Sequence, residues 1–219
     1  MVGREAFQDE LRHLEELIVE LAKKTKEQLL LAVDSLYLAD VAQAEQVVQN
    51  DVELDKMDMK INDEAIVLIA RQQPVARDLR RLVVALRISN DLERMADNAK
   101  NVARAAIRLG DDHGLPIHPS IKEMSKIAME MIDLAITSYK NEDITLARKL
   151  SELDDMVDNM YSTMLREILE ETANNPQKVQ YLMQMAFSGR FVERIGDHAT
   201  NIGEDVMYLV KGESLDLNG

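Results

Sequence analysis

The sequence predicts an all-α protein, two tandem, pseudo-symmetric antiparallel three-helix bundles made of six long helices. Three observations support this. Apolar residues recur three and four apart along most of the chain, which is the mark of one buried face per helix. The 219 residues include only 8 Gly and 4 Pro, and aromatics are 4% with no Trp, too few turn and strand formers for a sandwich, barrel or propeller. Finally, the second half of the chain repeats the pattern of the first.

The first helix is expected at about 4–38, from Phe7, Leu11, Leu14, Ile18, Leu21, Leu29, Ala32 and Leu36. Asp40 is placed to cap a second helix through Val41, Val48, Val52, Met59 and Ile66 to about Arg71. There Pro74 drives Gln73 out of the helical region. A third helix runs from about Val75 to Leu109. Gly110 to Pro119 holds two Gly and two Pro within ten residues and reads as the linker, with Ser120 placed to cap the next helix. Three more helices follow: about 120–141, one from the break at Asn141-Glu142-Asp143 to about Glu171, and one from Asn174-Asn175-Pro176 to about Lys211. The two units are residues 1–110 and 120–219.

Charge and composition narrow the function. Lys and Arg number 26 against 40 Asp and Glu, a formal net charge of −14, unevenly split as −4 over residues 1–110 and −10 over 111–219. Bulk attraction to nucleic acid or anionic lipid needs the opposite sign. The absence of Cys excludes disulfides, thiolate metal sites and cysteine nucleophiles, and fits a reducing cytosol. No run approaches the roughly 18 apolar residues of a membrane span, and Met1 to Glu10 lacks the apolar core of a signal peptide. The expectation is a soluble cytoplasmic protein with no direct membrane insertion.

Sliding the chain over itself by 100 residues lays Leu92-Glu93-Arg94-Met95-Ala96-Asp97-Asn98-Ala99-Lys100-Asn101-Val102 over Val192-Glu193-Arg194-Ile195-Gly196-Asp197-His198-Ala199-Thr200-Asn201-Ile202. An offset of 103 lays Asp40, Ala44, Asp51 and Asp55 over Asp143, Ala147, Asp154 and Asp158. Glu93, Asp97 and Asn101 stand at i, i+4 and i+8, as do Glu193, Asp197 and Asn201, so each set forms a column on one helix face. Asp51/Asp55 and Asp154/Asp158 repeat the spacing on the middle helices. The apolar positions lie on another face, which puts the columns at the edge of the core or outside it, facing solvent or a partner. Like charges four apart cost a helix about 0.2–0.5 kcal/mol per pair, a cost that a bound cation reverses. Carboxylates in facing pairs make an oxygen-only site suited to Mg²⁺, Mn²⁺, Ca²⁺ or ferric iron, with zinc a poorer fit. The alternative is a solvated acidic face, with Arg94 and Arg194 placed to neutralise the columns.

Other candidates are weaker. Glu10-Leu11-Arg12-His13 is a single Glu-x-x-His where a di-iron carboxylate bundle needs two. His113 and His118 read as linker residues, and His198 points about 100° away from Asp197. Met124, Met131, Met160, Met164 and Met185 fall at helical spacing and read as core filler, with a Met-rich partner groove as the alternative. Arg71, Arg77, Arg80, Arg81 and Arg87 gather near the start of the third helix, a solvated helix start or a docking patch for an acidic partner. No Gly-rich phosphate loop or nucleophile motif is present.

The duplicated Glu-Arg-(Met/Ile)-(Ala/Gly)-Asp block, strongest at Phe191 to Ile202, resembles the PhoU family. So do Arg4-x-x-Phe7-x-x-x-Leu11-x-x-Leu14, the run Gln72 to Arg80 and the ending Tyr208 to Gly212. The resemblance implies two three-helix bundles side by side. It also implies a cytoplasmic negative regulator of phosphate uptake and phosphate-starvation signalling. Such a regulator is an adaptor between the phosphate-specific ABC transporter, through its ATPase subunit, and the sensor histidine kinase of a two-component system. A homodimer is the expected assembly. Some members bind multinuclear iron or zinc clusters, and the matching ligands here are Asp51, Asp55, Glu93 and Asp97 in the first unit and Asp154, Asp158, Glu193 and Asp197 in the second. Met95-Ala96 replaces Ile-Gly in the first copy, a packing change that removes no ligand. The chain is expected not to be an enzyme. The competing readings are a carboxylate-bridged multinuclear metalloenzyme and a purely structural helical scaffold.

Overall fold

The computed structural model describes residues 2–111 and 114–213, with side chains from residue 5 onward. Among the described residues there are six α-helices: α1 (Val2–Leu38), α2 (Val41–Gln72), α3 (Ala76–Leu109), α4 (Pro119–Asn141), α5 (Ile144–Asn174) and α6 (Val179–Lys211), with one 3₁₀ turn (Pro176–Lys178) before α6. Among the described residues there is no strand. No helix among them is long and apolar enough to cross a membrane.

Local chemistry sets the boundaries. The Asp40 carboxylate accepts from the Gln43 N–H at 2.9 Å, and Asp143 accepts from the Thr145 N–H at 2.8 Å, so both middle helices start on an aspartate cap at matching places in the repeat. Asp143→Ala should cost about 1 kcal/mol, and a thermal melt showing no loss would contradict that role. At the end of α2, Gln73 adopts φ 46 ψ 52, a left-handed conformation ahead of Pro74. α4 departs from expectation: Pro119 takes the first helical position, where its fixed φ is pre-set and its missing N–H costs nothing. The cap therefore falls two residues before the expected Ser120, on His118, whose Nδ1 accepts from the Ser120 N–H. α5 runs three residues past the expected Glu171, to Asn174. His113 lies outside the described residues.

α3 and α6 are the central helices: α3 packs on α1, α2 and α6, while α6 packs on α3, α4 and α5, and α1 also touches α4. Each presents small residues to its neighbours, among them Ala85, Ser89, Ala96 and Ala99 on α3 and Ala186, Gly189, Gly196 and Ala199 on α6, all buried. One apolar cluster runs through both halves, from Phe7 and Leu14 on α1 through Leu92 and Met95 on α3 to Met131, Ile195 and Leu209. Met124, Met131, Met164 and Met185 are buried in it and Met160 packs against it, so these methionines fill core. Polar groups also join the halves across the α3–α6 contact. His198 Nδ1 lies 2.9 Å from Asp91, the Asn201 amide donates to Asp91 at 3.3 Å, and Arg87 donates to Asp205 at 2.9 Å.

Most of the arginine cluster near the start of α3 is occupied within the chain. Arg77 and Arg81 both hold Glu142 at the end of α4, Arg81 at 2.7 Å, and Arg71 holds Glu10. Although burial opposes its charge, these two guanidinium groups keep the Glu142 carboxyl below its usual range. With Arg87 on Asp205, four of the five arginines of the expected docking patch thus serve as struts between helices.

Candidate metal centre

α5 and α6 run side by side, so residues four apart on each helix meet across one seam. On α5, Asp154 and Asp158 stand one turn apart, and Asp197 on α6 faces them. One carboxylate oxygen from each lies within 4.8 Å of the other two, and among the described residues this is the one such trio. That separation matches the span of two metal–oxygen bonds, about 4–5 Å. Three aspartates in this arrangement can hold a metal ion. At 4–5 Å each ionised pair repels by on the order of 3–4 kcal/mol at the effective dielectric of a protein, so protons or a cation must neutralise the trio.

The surroundings favour a cation. Asp154 is 7% exposed and Glu193, one turn before Asp197, is 6% exposed. Glu193 gives one oxygen to the Arg190 guanidinium, while its Oε2 and the Oδ1 of Asp154 are buried without a hydrogen bond. Buried carboxylate oxygens are ordinarily paired, and an orphan of this kind calls for a missing partner such as an ion. Burial pushes Asp154 up to about 7, with the charges of Asp158 and Asp197 adding to it. Burial, then Asp197, pushes Glu193 up to about 7, and Asp158 rises for the same two reasons.

Backbone detail brings Asp154 this close. A Cβ at Gly196 would stand 3.0 Å from Asp154 Oδ1, tighter than a methyl and an oxygen settle, so the missing side chain lets the carboxylate lie against α6. Thr200, the next turn along, donates its hydroxyl to the Gly196 carbonyl at 3.2 Å.

The first unit holds its four carboxylates differently. Asp51 and Asp55 on α2 face Glu93 and Asp97 on α3 in the same register, and Asp51 is 3% exposed. Here the Lys100 ammonium lies between the helices and donates to both Asp51 and Asp97. Although burial opposes its charge, those two carboxylates raise the Lys100 pKa above its ordinary value. Arg94 adds contacts at 3.5 Å to Glu93 and 3.8 Å to Asp97. Burial raises both Asp51 and Glu93, and Asp51 Oδ1 and Glu93 Oε2 also lack a hydrogen bond.

The structure therefore brings together three of the eight expected ligands, sets Glu193 beside them, and gives Asp51, Glu93 and Asp97 to lysine and arginine, with Asp55 next to them on α2. The columns do not face solvent or a partner, as their place on the helix suggested. They face each other across the α2–α3 and α5–α6 seams, which buries Asp51, Asp154 and Glu193. Asn101 and Asn201 are engaged elsewhere, with Arg104 and Asp91. Lys100, Thr200 and Arg190 were not singled out from the sequence, although Lys100 and Thr200 stand opposite each other in the aligned repeat.

Fold and site together define a class: a duplicated helical bundle with carboxylates at matched places in each half, one set open to a cation. Comparison with known proteins is specific. The sequence matches the PhoU domain twice, over residues 18–106 and 121–206. It is 32% identical over 210 residues to a phosphate-specific transport system accessory protein PhoU homolog of Xylella fastidiosa, covering 96% of this chain and 89% of that one. A protein of the same description from Aquifex aeolicus is 36% identical over 204 residues, 93% of this chain and 92% of that one. The crystal structure of PhoU from Pseudomonas aeruginosa superposes with a TM-score of 0.89 at 32% identity, covering 94% of this chain and all of that one. A PhoU structure from Streptococcus pneumoniae, 24% identical with a TM-score of 0.90 over 96% of this chain and 99% of that one, has the same fold. The chain belongs to the PhoU family.

Proposed function

We propose that this protein is a cytoplasmic negative regulator of phosphate uptake and phosphate-starvation signalling. It works as an adaptor between the ATPase subunit of a phosphate-specific ABC transporter and a sensor histidine kinase, with no catalytic step of its own. The supporting observation is the match over nearly its whole length, in both repeats, to relatives named as accessory proteins of the phosphate-specific transport system. Residues 1–110 and 120–219 act as its two units, and a homodimer is the working assembly.

Metal enters this reading as a structural element. Asp154, Asp158 and Asp197 would hold it, with Glu193 alongside, and the ion would supply the positive charge that the two buried orphan oxygens lack. An all-carboxylate donor set suits Mn²⁺, Mg²⁺ or iron, and iron or zinc clusters are the family's expectation. By bridging α5 to α6 the ion would fix the α5–α6 seam, and through the α3–α6 contact the relation of the two halves.

The test is capture of purified partners by the full chain. The tagged protein, metal-loaded or chelator-stripped, is presented with the transporter ATPase subunit and the cytoplasmic part of the kinase. Binding of both, stronger with metal, is expected. Failure to bind either partner in either state would remove the adaptor reading.

A further inference from the structure

We infer that Lys100 is a built-in cation of the first unit, filling the place that an ion takes in the second, so that the chain carries one metal centre in place of the two its repeat suggests. The inference rests on the metal reading above and concerns how this chain distributes the ion. The two carboxylates that Lys100 holds, Asp51 and Asp97, are the counterparts of Asp154 and Asp197, two of the three members of the open trio. An ammonium group hydrogen-bonded to both cannot share that space with a metal ion. It supplies what the ion would supply, a positive charge and donors for buried carboxylates.

Two substitutions between the repeats act in the same direction. Where α3 has Lys100, α6 has Thr200, a short uncharged side chain whose hydroxyl donates to the Gly196 carbonyl and also reaches Asp154, and which puts no positive charge in the seam. Where α3 has the buried Ala96, α6 has Gly196, whose missing Cβ gives Asp154 its close approach. Charge follows the same pattern: two cationic side chains, Lys100 and Arg94, serve the first set, against Arg190 alone for the second. The orphan oxygen of Asp154 lies in a seam without an ammonium group, whereas that of Asp51 belongs to a carboxylate whose other oxygen already holds Lys100. One repeat thus carries its own cation between the paired aspartates, and the other leaves that place to whatever cation is available.

The experiment uses the full chain, chelator-stripped and then titrated with MnCl₂. Amide NMR of the wild type reports where the paramagnetic ion sits. Broadening is expected around residues 154–158 and 193–200, with residues 51–55 and 93–97 relaxing as in the diamagnetic control. Bound Mn²⁺ is measured in parallel. It should be lost in D154N/D197N, unchanged in D51N/D97N, and increased in K100T by an amount that adding D51N removes. K100Q, which keeps the length of the side chain and loses its charge, serves if K100T does not fold. Broadening at both sets in the wild type, or no added Mn²⁺ in either Lys100 variant, would overturn the inference and leave the metal centre standing. Absence of Mn²⁺ from every protein would overturn both.

Discussion

Saturating Mn²⁺ is expected to raise the melting temperature of the chelator-stripped protein by about 5–10 °C. Ligand at a hundred times its dissociation constant stabilises the native state by about 2.7 kcal/mol, and a chain of about 150–250 residues gains about 2–4 °C per kcal/mol. The cause is local. Asp154, Asp158 and Asp197 converge within 4.8 Å while Asp154 Oδ1 and Glu193 Oε2 lack partners, so the empty centre holds repulsion that a divalent ion turns into attraction. The unfolded chain separates those groups and offers no such site. Replacing the three aspartates by Asn removes both terms. The triple variant should therefore melt higher than the stripped wild type and show no response to Mn²⁺. Differential scanning fluorimetry of the two proteins, with and without the ion, checks this; an equal shift in both would place the metal elsewhere.

Without metal, the protein should be more stable at pH 5.5 than at pH 8, the reverse of a protein held by ion-paired carboxylates. Burial pushes Asp154 and Glu193 up to about 7 and Asp205 up to about 6, all above their unfolded values near 4. Between those limits the native state binds more protons than the unfolded chain, so stability falls as pH rises through the window. The facing groups mostly reinforce this: Asp158 and Asp197 for Asp154, opposed by a hydrogen bond with Thr200, and Asp197, Asp158 and Asp154 for Glu193, opposed by Arg190. Asp205 has Arg87 in opposition and Asp91 and Glu204 in support. Glu142, held below its usual range by Arg81 and Arg77, contributes stability that is lost only in more acid solution. The net gain on acidification should exceed about 1.4 kcal/mol, the worth of one pKa unit. With saturating Mn²⁺ the dependence should shrink or reverse, because ligands must lose their protons to bind. Urea unfolding at the two pH values, with and without the ion, measures it. A metal-free protein more stable at pH 8 would contradict the description of the centre.

The helices were legible because their signals are local. Period, the Asp40 cap and the Gly/Pro linker fixed the six elements to within a few residues, missing where Pro119 moved a cap to His118 and where α5 continued to Asn174. The centre was legible only in outline. Spacing put Asp154 with Asp158 and Glu193 with Asp197, but how deep a column sits depends on how closely the neighbouring helix approaches. The small residues of α3 and α6 set that distance. The difference between the units rests on Lys100 against Thr200 and Ala96 against Gly196. Both pairs are visible in the aligned repeat, yet their meaning appears only once Lys100 is seen to bridge two helices. Asp91 with His198, and Arg87 with Asp205, join residues more than a hundred positions apart, and no spacing rule connects them.

The most direct test of the central claim, that the α5–α6 carboxylates are a metal centre, is the metal content of untagged protein purified without chelator. Inductively coupled plasma mass spectrometry would compare the wild type with the Asp154→Asn, Asp158→Asn, Asp197→Asn variant. The expected result is iron, manganese or zinc near or above one ion per chain in the wild type and none in the variant. Two proteins equally empty after reconstitution, or equally loaded, would contradict it.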